Sequence, residues 1–328
     1  MKRRVIGRSG VEVTELGFGG APIGNLYAAV DAGTAAGAVE TAWDAGIRCF
    51  DTAPHYGLGL SERRLGAALA GKPRGEFTVS TKVGRLLVPN PASTGSDIVA
   101  GGFDVPDHLA RVRDYSRDGV LRNLDASLGR LGLGHIDIVL VHDPDDHLDQ
   151  AITESIPSLI ELRDQGVIGA VGVGMNYPRP LLRVVTESDV DAVMVAGRWT
   201  LADRSGEVLL TACTLRGVSV LAAAPFNSGL LAQAWPPTGR TSTTSPGRRR
   251  CGARQNPRAR LPEARGDSAL PHAAMGFPLR HPAMACVVAG LRTAEQVTSG
   301  ARWVDTRIPA VAWRDLDDLG QAIPASYG

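Results

Sequence analysis

Short apolar runs alternate with helical patterns along most of the chain. The runs lie at 15–20, 47–52, 77–83, 136–142, 170–174, 192–196, 218–224 and 285–290. Amphipathic or helix-favouring stretches at 34–45, 61–70, 119–131, 152–165, 179–186 and 207–216 separate them. A short apolar run between helical patterns is the mark of a buried strand. Eight such units within one domain's length predict an α/β fold, a closed parallel (β/α)8 TIM barrel spanning 1–328 as a single domain. The competing open, doubly wound sheet would want a glycine-rich fingerprint after its first strand. Gly17-Phe18-Gly19-Gly20 with Gly24 fits G-x-G-x-x-G poorly, and no helical pattern opens there. Val5-Ile6 and Val11-Glu12-Val13 flank Arg8-Ser9-Gly10, which predicts an N-terminal β-hairpin acting as a lid. A C-terminal helical extension is expected after the eighth unit.

Two segments break the rhythm. The stretch 84–114 carries Pro89, Pro91, Gly101, Gly102 and Pro106 and leaves the carboxyl end of a strand. It reads as a substrate loop lying over the site. The stretch 242–270 holds Arg248, Arg249, Arg250, Arg254, Arg258, Arg260 and Arg265, with only Leu261 and Leu270 as larger apolar residues. It keeps no period, yet stands where the helix between the seventh and eighth strands belongs. Out-of-frame translation of a GC-rich gene is the favoured reading, ahead of a disordered insertion. A nucleic-acid-binding loop would want interleaved aromatic residues.

Composition narrows the partners. The 328 residues carry a formal net charge of +1, which supplies no bulk field for nucleic acid or an acidic membrane. No run approaches the ~18 apolar residues of a membrane helix. The expectation is a cytoplasmic monomer or homo-oligomer acting on a small molecule, with no nucleic-acid or membrane partner. Cys49, Cys213 and Cys286 lie in or beside apolar runs and read as buried thiols. No C-x-x-C spacing points to zinc. His142-Asp143-Pro144-Asp145-Asp146-His147 has the composition of a metal cluster but reads as a strand end and a turn, so no metal is expected.

The chemistry gathers at strand ends. Asp51 and Tyr56 follow the second run, Lys82 ends the third and His142 the fourth. In a barrel these ends are neighbours at one mouth. Taken singly, Asp51 is a turn cap, Tyr56 a packing residue, Lys82 a rim ion pair and His142 a core histidine. Together an acid, a phenol, an ammonium and an imidazole make a proton-transfer site. A phenol ordinarily titrates near ~10, and a close ammonium favours the phenolate and lowers that value. Such a group can donate a proton to a carbonyl or take one from an alcohol, which suits carbonyl–alcohol interconversion with hydride supplied by a cofactor. A Schiff-base lyase would instead need Lys82 neutral, which pairing with Asp51 opposes. For the cofactor, Asn176 follows the fifth run, and Ser228, Gly229 and Leu230 form a small polar loop after the seventh. Gly290, Arg292, Thr293 and Gln296 mark a helix start after the eighth. The loops after strands seven and eight are the usual phosphate site of such barrels.

These residues resemble a known family. Gly17-Phe18-Gly19, Asp51-Thr52-Ala53-Pro54-His55-Tyr56-Gly57, Ser61-Glu62 with Leu65-Gly66, Ser80-Thr81-Lys82-Val83, Val141-His142-Asp143 and Gly172-Val173-Gly174 are similar to motifs of the aldo-keto reductases. The resemblance covers the chain outside 242–270. It implies a barrel that binds NAD or NADP without a Rossmann fold, with Asp51, Tyr56, Lys82 and His142 as the catalytic tetrad and Tyr56 as general acid/base. It also implies that Asn176 meets the nicotinamide carboxamide and that Ser228, Gly229 and Leu230 hold the pyrophosphate. Arg292, Thr293 and Gln296 then take the adenosine end, and Trp199 supplies the ring-stacking face. Asp114-Tyr115-Ser116-Arg117-Asp118-Gly119-Val120-Leu121-Arg122 and His142-Asp143-Pro144-Asp145 resemble the sugar-oxidising branch, which implies oxidation of an L-fucose-like aldose at C1 to the lactone. A general aldehyde, ketone or pyridoxal reductase, and a nicotinamide-binding barrel with little turnover, stand as alternatives. Ala196-Gly197-Arg198-Trp199 replaces the glutamine many members carry at the sixth strand end, and Gly300 stands where an asparagine often meets adenine.

Overall fold

A computed structural model describes residues 1–232 and 269–321. In chain order the elements begin with β1 (Arg3–Val5), β2 (Glu12–Thr14), β3 (Leu16–Gly19), α1 (Ala32–Asp44), β4 (Cys49–Asp51), α2 (Leu60–Leu69) and β5 (Thr78–Val83). They continue through β6 (Arg85–Pro89), β7 (Leu109–Arg113), α3 (Arg117–Leu131), β8 (Ile136–His142), α4 (Leu148–Gln150), α5 (Ile156–Asp164), β9 (Ile168–Met175) and α6 (Pro178–Glu187). The chain then forms β10 (Ala192–Ala196), α7 (Glu207–Arg216), β11 (Ser219–Ala223), α8 (Ala269–Gly276), β12 (Met284–Gly290), α9 (Ala294–Asp305) and α10 (Ala310–Gln321). Eight strands close a parallel barrel in the order β3-β4-β5-β8-β9-β10-β11-β12, with β12 pairing back onto β3. This is the expected (β/α)8 barrel, and α10 supplies the expected helical extension.

Alternation along each strand builds two apolar layers. On β5, Val79 and Val83 join the outer layer between barrel and helices, while Ser80 and Lys82 reach the Asp51 carboxylate. An inner cluster holds Cys49, Ile138, Leu140, Met194, Leu221 and Cys286. Ile6 and Val13 of the N-terminal hairpin are fully buried in that same cluster, so β1 and β2 plug the barrel rather than frame its mouth. Cys49, Cys213 and Cys286 are buried free thiols as expected, and burial pushes Cys213 up to about 12.

Local capping explains where helices start. The Asp31 carboxylate accepts from Thr34 N at 2.8 Å at the head of α1, and Ser116 Oγ accepts from Gly119 N at the head of α3. Helix α2 packs so closely on α3 that a Cβ on Gly66 would stand 2.2 Å from the Leu131 carbonyl oxygen. Beside that contact Glu62 is fully buried, accepting from Thr81 Oγ1 at 2.7 Å and from Arg130 Nε at 2.5 Å.

Two expectations change. The stretch 84–114 is not loop alone: β6 and β7 pair antiparallel from Arg85↔Arg113 to Pro89↔Leu109. The helix expected at 152–165 opens with a π turn at Ala151–Ser155 before α5. Positions 242–268 lie outside the described residues, and 269–270 already belong to α8. Among the described residues, no helix is long and apolar enough to cross a membrane.

Gly66 tests the close helix packing. Gly66→Ala is expected to cost about 1–3 kcal/mol through overpacking. Gly129→Ala, whose added Cβ meets nothing within 4 Å, is expected to gain up to about 1 kcal/mol from helix propensity. Thermal or urea denaturation of the two variants reads the opposite signs.

Candidate active site

The mouth of the barrel is organised by a lysine and a carboxylate removed from water. Lys82 and Asp51 are each 2% exposed. Lys82 Nζ donates to both Asp51 oxygens, at 2.9 and 2.8 Å, and to the Thr52 carbonyl at 2.9 Å. Ser80 Oγ donates to Asp51 Oδ1 at 2.6 Å, so the carboxylate is held from two directions. Asp51 ends β4 opposite Ser80 of β5, and this register brings the pair together. Burial alone would drive the Lys82 ammonium down. The Asp51 carboxylate, with the Tyr56 phenol behind it, outweighs burial and holds the group above the ordinary lysine range. Lys82 is therefore charged, which opposes a Schiff-base role.

Tyr56 lies on the turn between β4 and α2. Its ring sits over the Lys82 ammonium, with Nζ 4.7 Å from the ring centroid. The expected lowering of its titration is reversed. Burial pushes the phenol up from its ordinary value, and the Lys82 charge and hydrogen bond only partly offset this. The phenol keeps its proton at neutral pH, with an ammonium beside it to stabilise the phenolate when that proton leaves.

His142 ends β8 with its ring centroid 6.0 Å from that of Tyr56, at an interplanar angle of 89°. Its imidazole is held well below the ordinary histidine value, first by burial and then by Arg85 and Lys82. It is a neutral hydrogen-bonding group. The Tyr115 hydroxyl donates to the carbonyls of His142 and Asp143, at 2.8 Å each, and fixes the strand end. Asp143 takes a left-handed backbone (φ 41°), and its carboxylate accepts from Arg85 Nη2 at 2.6 Å, 3.5 Å from His142 Nε2. Burial raises the Asp143 carboxyl, against the opposing pull of Arg85.

The structure therefore brings Asp51, Tyr56, Lys82 and His142 together. It also supplies wall residues that the sequence patterns did not single out. Arg85 comes from β6 and Arg111 from β7, and Phe103 lies in the connection between those strands. Arg111 binds Asp97 in a two-pronged pair at 2.6 Å and donates to the His55 carbonyl at 2.9 Å. The Phe103 ring packs 5.2 Å from His55 and 6.0 Å from Tyr56. The excursion thus covers the site, as its place after a strand end suggests.

The remaining candidates ring the mouth at other strand ends. The Asn176 carbonyl, just past β9, accepts from Arg198 Nε at 2.9 Å. After β11, Asn227, Ser228 and Gly229 all turn with positive φ. Asn227 is buried, with Nδ2 tied to the Gly197 carbonyl at 3.1 Å and Oδ1 lacking a hydrogen-bond partner. Leu230 N closes this turn onto the Asn227 carbonyl. Gly290 ends β12 where a Cβ would press on Pro22 at 3.1 Å. Thr293 caps α9, Gln296 Oε1 accepts from Arg292 N at 2.8 Å, and Arg292 Nη2 donates to the Leu26 carbonyl at 2.7 Å. A left-handed polar turn, a helix start and a guanidinium form a set suited to the phosphates of a dinucleotide. Trp199 is not brought to the other rings of the mouth. Its ring packs on Phe277 and His281, with centroids 5.6 and 5.5 Å away. Gly300 is buried against Leu291 and Leu16. Among the described residues, no group of three or more His, Cys, Asp or Glu could hold a metal ion.

Known proteins resemble this chain over most of its length. The model of the Aldo/keto reductase family matches residues 15–321. A D-threo-aldose 1-dehydrogenase from Pseudomonas is 42% identical over 94% of both chains. A pyridoxal 4-dehydrogenase from Microbacterium luteolum is 36% identical over 97% of both. An aldo-keto reductase from Bacillus halodurans, solved in its holo form, superposes with a TM-score of 0.76 at 26% identity, covering 99% of this chain and 98% of that one.

Two outcomes check the electrostatics. Asp51→Asn strands the Lys82 ammonium in a buried site and is expected to cost about 3–5 kcal/mol in urea unfolding. His55 and His142 are both held below the ordinary histidine value. Their stabilising contribution is complete above the unfolded value near ~6.5 and is lost as pH falls from there toward the folded values. The urea midpoint is expected to fall between about pH 7 and pH 5, with a shallower slope in His142→Gln.

Proposed function

The chain belongs to the aldo/keto reductase family of NAD(P)-dependent oxidoreductases, and we propose that it is an aldose dehydrogenase oxidising C1 of an L-fucose-like sugar to the lactone. The observation that carries the chemistry is the Lys82 ammonium fixed by Asp51 under the Tyr56 ring. The end-to-end likeness to the Pseudomonas aldose dehydrogenase supports the choice of sugar. The pyridoxal dehydrogenase relative makes pyridoxal the competing substrate.

When bound, the nicotinamide ring supplies the hydride acceptor. Ser228, Gly229 and Leu230 would hold the pyrophosphate, while Arg292, Thr293 and Gln296 would take the adenosine end. Gly290 would leave room for the backbone to approach, and Asn176 would meet the carboxamide. Tyr56 Oη takes the proton of the C1 hydroxyl as the C1–H bond breaks. Lys82 stabilises the phenolate that accepts this proton, and Asp51 keeps Lys82 charged and in place. Neutral His142 donates a hydrogen bond to the same substrate oxygen and orients it. The walls formed by Phe103 and the Arg111–Asp97 pair exclude water from the proton path.

The test is NADH and NADPH formation with L-fucose, D-arabinose, L-galactose, L-xylose and pyridoxal. Turnover of an aldose, reduced roughly 10²–10⁴-fold in Tyr56→Phe, is expected. Turnover of pyridoxal alone would replace the sugar reading. A pH profile checks the role of Tyr56. Oxidation needs the phenolate, and burial raises the phenol's titration. The oxidation rate is therefore expected to climb into the alkaline range, while carbonyl reduction falls over the same range.

A further inference from the structure

His55 is a hydrogen-bonding ring at this mouth to which the reaction above gives no task. Its imidazole, the His142 imidazole and the Tyr56 ring form a near-equilateral triangle. Centroids are 5.6 Å apart for His55–His142, 6.0 Å for Tyr56–His142 and 6.1 Å for His55–Tyr56. Phe103 closes the outer side of His55 edge-on at 5.2 Å.

The placement of His55 is built rather than incidental. Its carbonyl accepts from Arg111, whose guanidinium is locked by Asp97 through two bonds of 2.6 Å. Asp97 is itself buried. The β6–β7 excursion therefore holds the backbone of His55 from outside the barrel, while Phe103 holds the ring. Yet Nδ1 of His55 is buried and has no hydrogen-bond partner, and the same is true of Nδ1 of His142. A buried polar nitrogen without a partner is costly, so it marks a place where a partner arrives. Burial first, and then Arg85, Arg111 and Lys82, act to keep a proton off His55, so the ring offers a neutral donor and acceptor to an uncharged polar ligand.

We infer that His55 is a specificity-determining residue, holding the hydroxyl on the carbon next to the reacting one and so selecting polyhydroxylated substrates over plain aldehydes. Tyr56 and His142 converge on the reacting oxygen, and the third corner of the triangle faces the neighbouring oxygen. The inference rests on the proposed oxidoreductase site, and it names the part of the substrate this ring reads. A site built to hydrogen-bond a hydroxyl discriminates strongly against the analogue lacking it, because its own polar group is then left unpaired.

The experiment compares NAD(P)H-dependent reduction of glyceraldehyde and propanal, which differ in hydroxylation alone. The readout is the ratio of their kcat/KM values in wild type, His55→Phe and His55→Gln. His55→Phe keeps an aromatic ring against Phe103 and removes the hydrogen bond, and the ratio is expected to drop about tenfold, mainly through KM for glyceraldehyde. His55→Gln restores a donor and an acceptor and is expected to keep the ratio within about threefold of wild type. An unchanged ratio in His55→Phe, or an equal drop in His55→Gln, overturns the inference and leaves His55 a packing residue. Should His55→Phe not fold, His55→Ala is read in its place with the same two outcomes. Wild-type turnover of both aldehydes without oxidation of any aldose would overturn the sugar reading alone, because the His55 ratio does not depend on aldose turnover.

Discussion

Lys82 and Asp51 are opposite charges held out of water at the mouth of the barrel, and the site depends on their being held together. Neither is tolerable there alone, because an isolated buried charge costs several kcal/mol. The barrel solves this by register: β4 and β5 run parallel with Asp51 beside Ser80, which places Lys82 one inward step further on. The Thr52 carbonyl takes the ammonium's remaining reach. A charged lysine so fixed can act on a phenol stacked over it without becoming a nucleophile itself. The same pair decides between two chemistries that a barrel lysine supports.

The second constraint is desolvation of the whole mouth. Burial raises Tyr56 and Asp143 and lowers His55 and His142, each toward its neutral form. Only Lys82 is carried the other way, by its partner. The cover comes from the β6–β7 excursion, whose Arg111–Asp97 and Arg85–Asp143 pairs tie it to the turn before α2 and to the end of β8. Neutral hydrogen-bonding groups beside cations that are each paired with a carboxylate suit an uncharged, hydroxyl-rich substrate. An anionic substrate would find both guanidinium groups already paired with carboxylates.

Much of this was legible in the residues. Buried parallel strands are apolar throughout, so runs such as Ile136–His142 stand out from the amphipathic helices between them, and the polar residue ending each run marks the mouth. Asp51, Tyr56, Lys82 and His142 could be found that way. Arg85 and Arg111 could not. β6 and β7 are short, half-exposed strands whose paired residues lie far apart in sequence, with proline and glycine between them, and such a pair leaves no local period. The direction of the Tyr56 shift was missed for a related reason. A sequence tells which charge follows which strand, but the exclusion of water comes from Phe103 and its neighbours, which arrive from another part of the chain.

Transfer of hydrogen from the sugar's first carbon tests the central claim most directly. L-Fucose carrying deuterium at C1 would be incubated with the protein and NAD+ or NADP+, and the nicotinamide and sugar products analysed by mass spectrometry. The account predicts deuterium in the reduced nicotinamide and a sugar lactone formed in equal amount. Reduced nicotinamide without deuterium, or no oxidation of this or any other C1-deuterated aldose by folded protein, would contradict it.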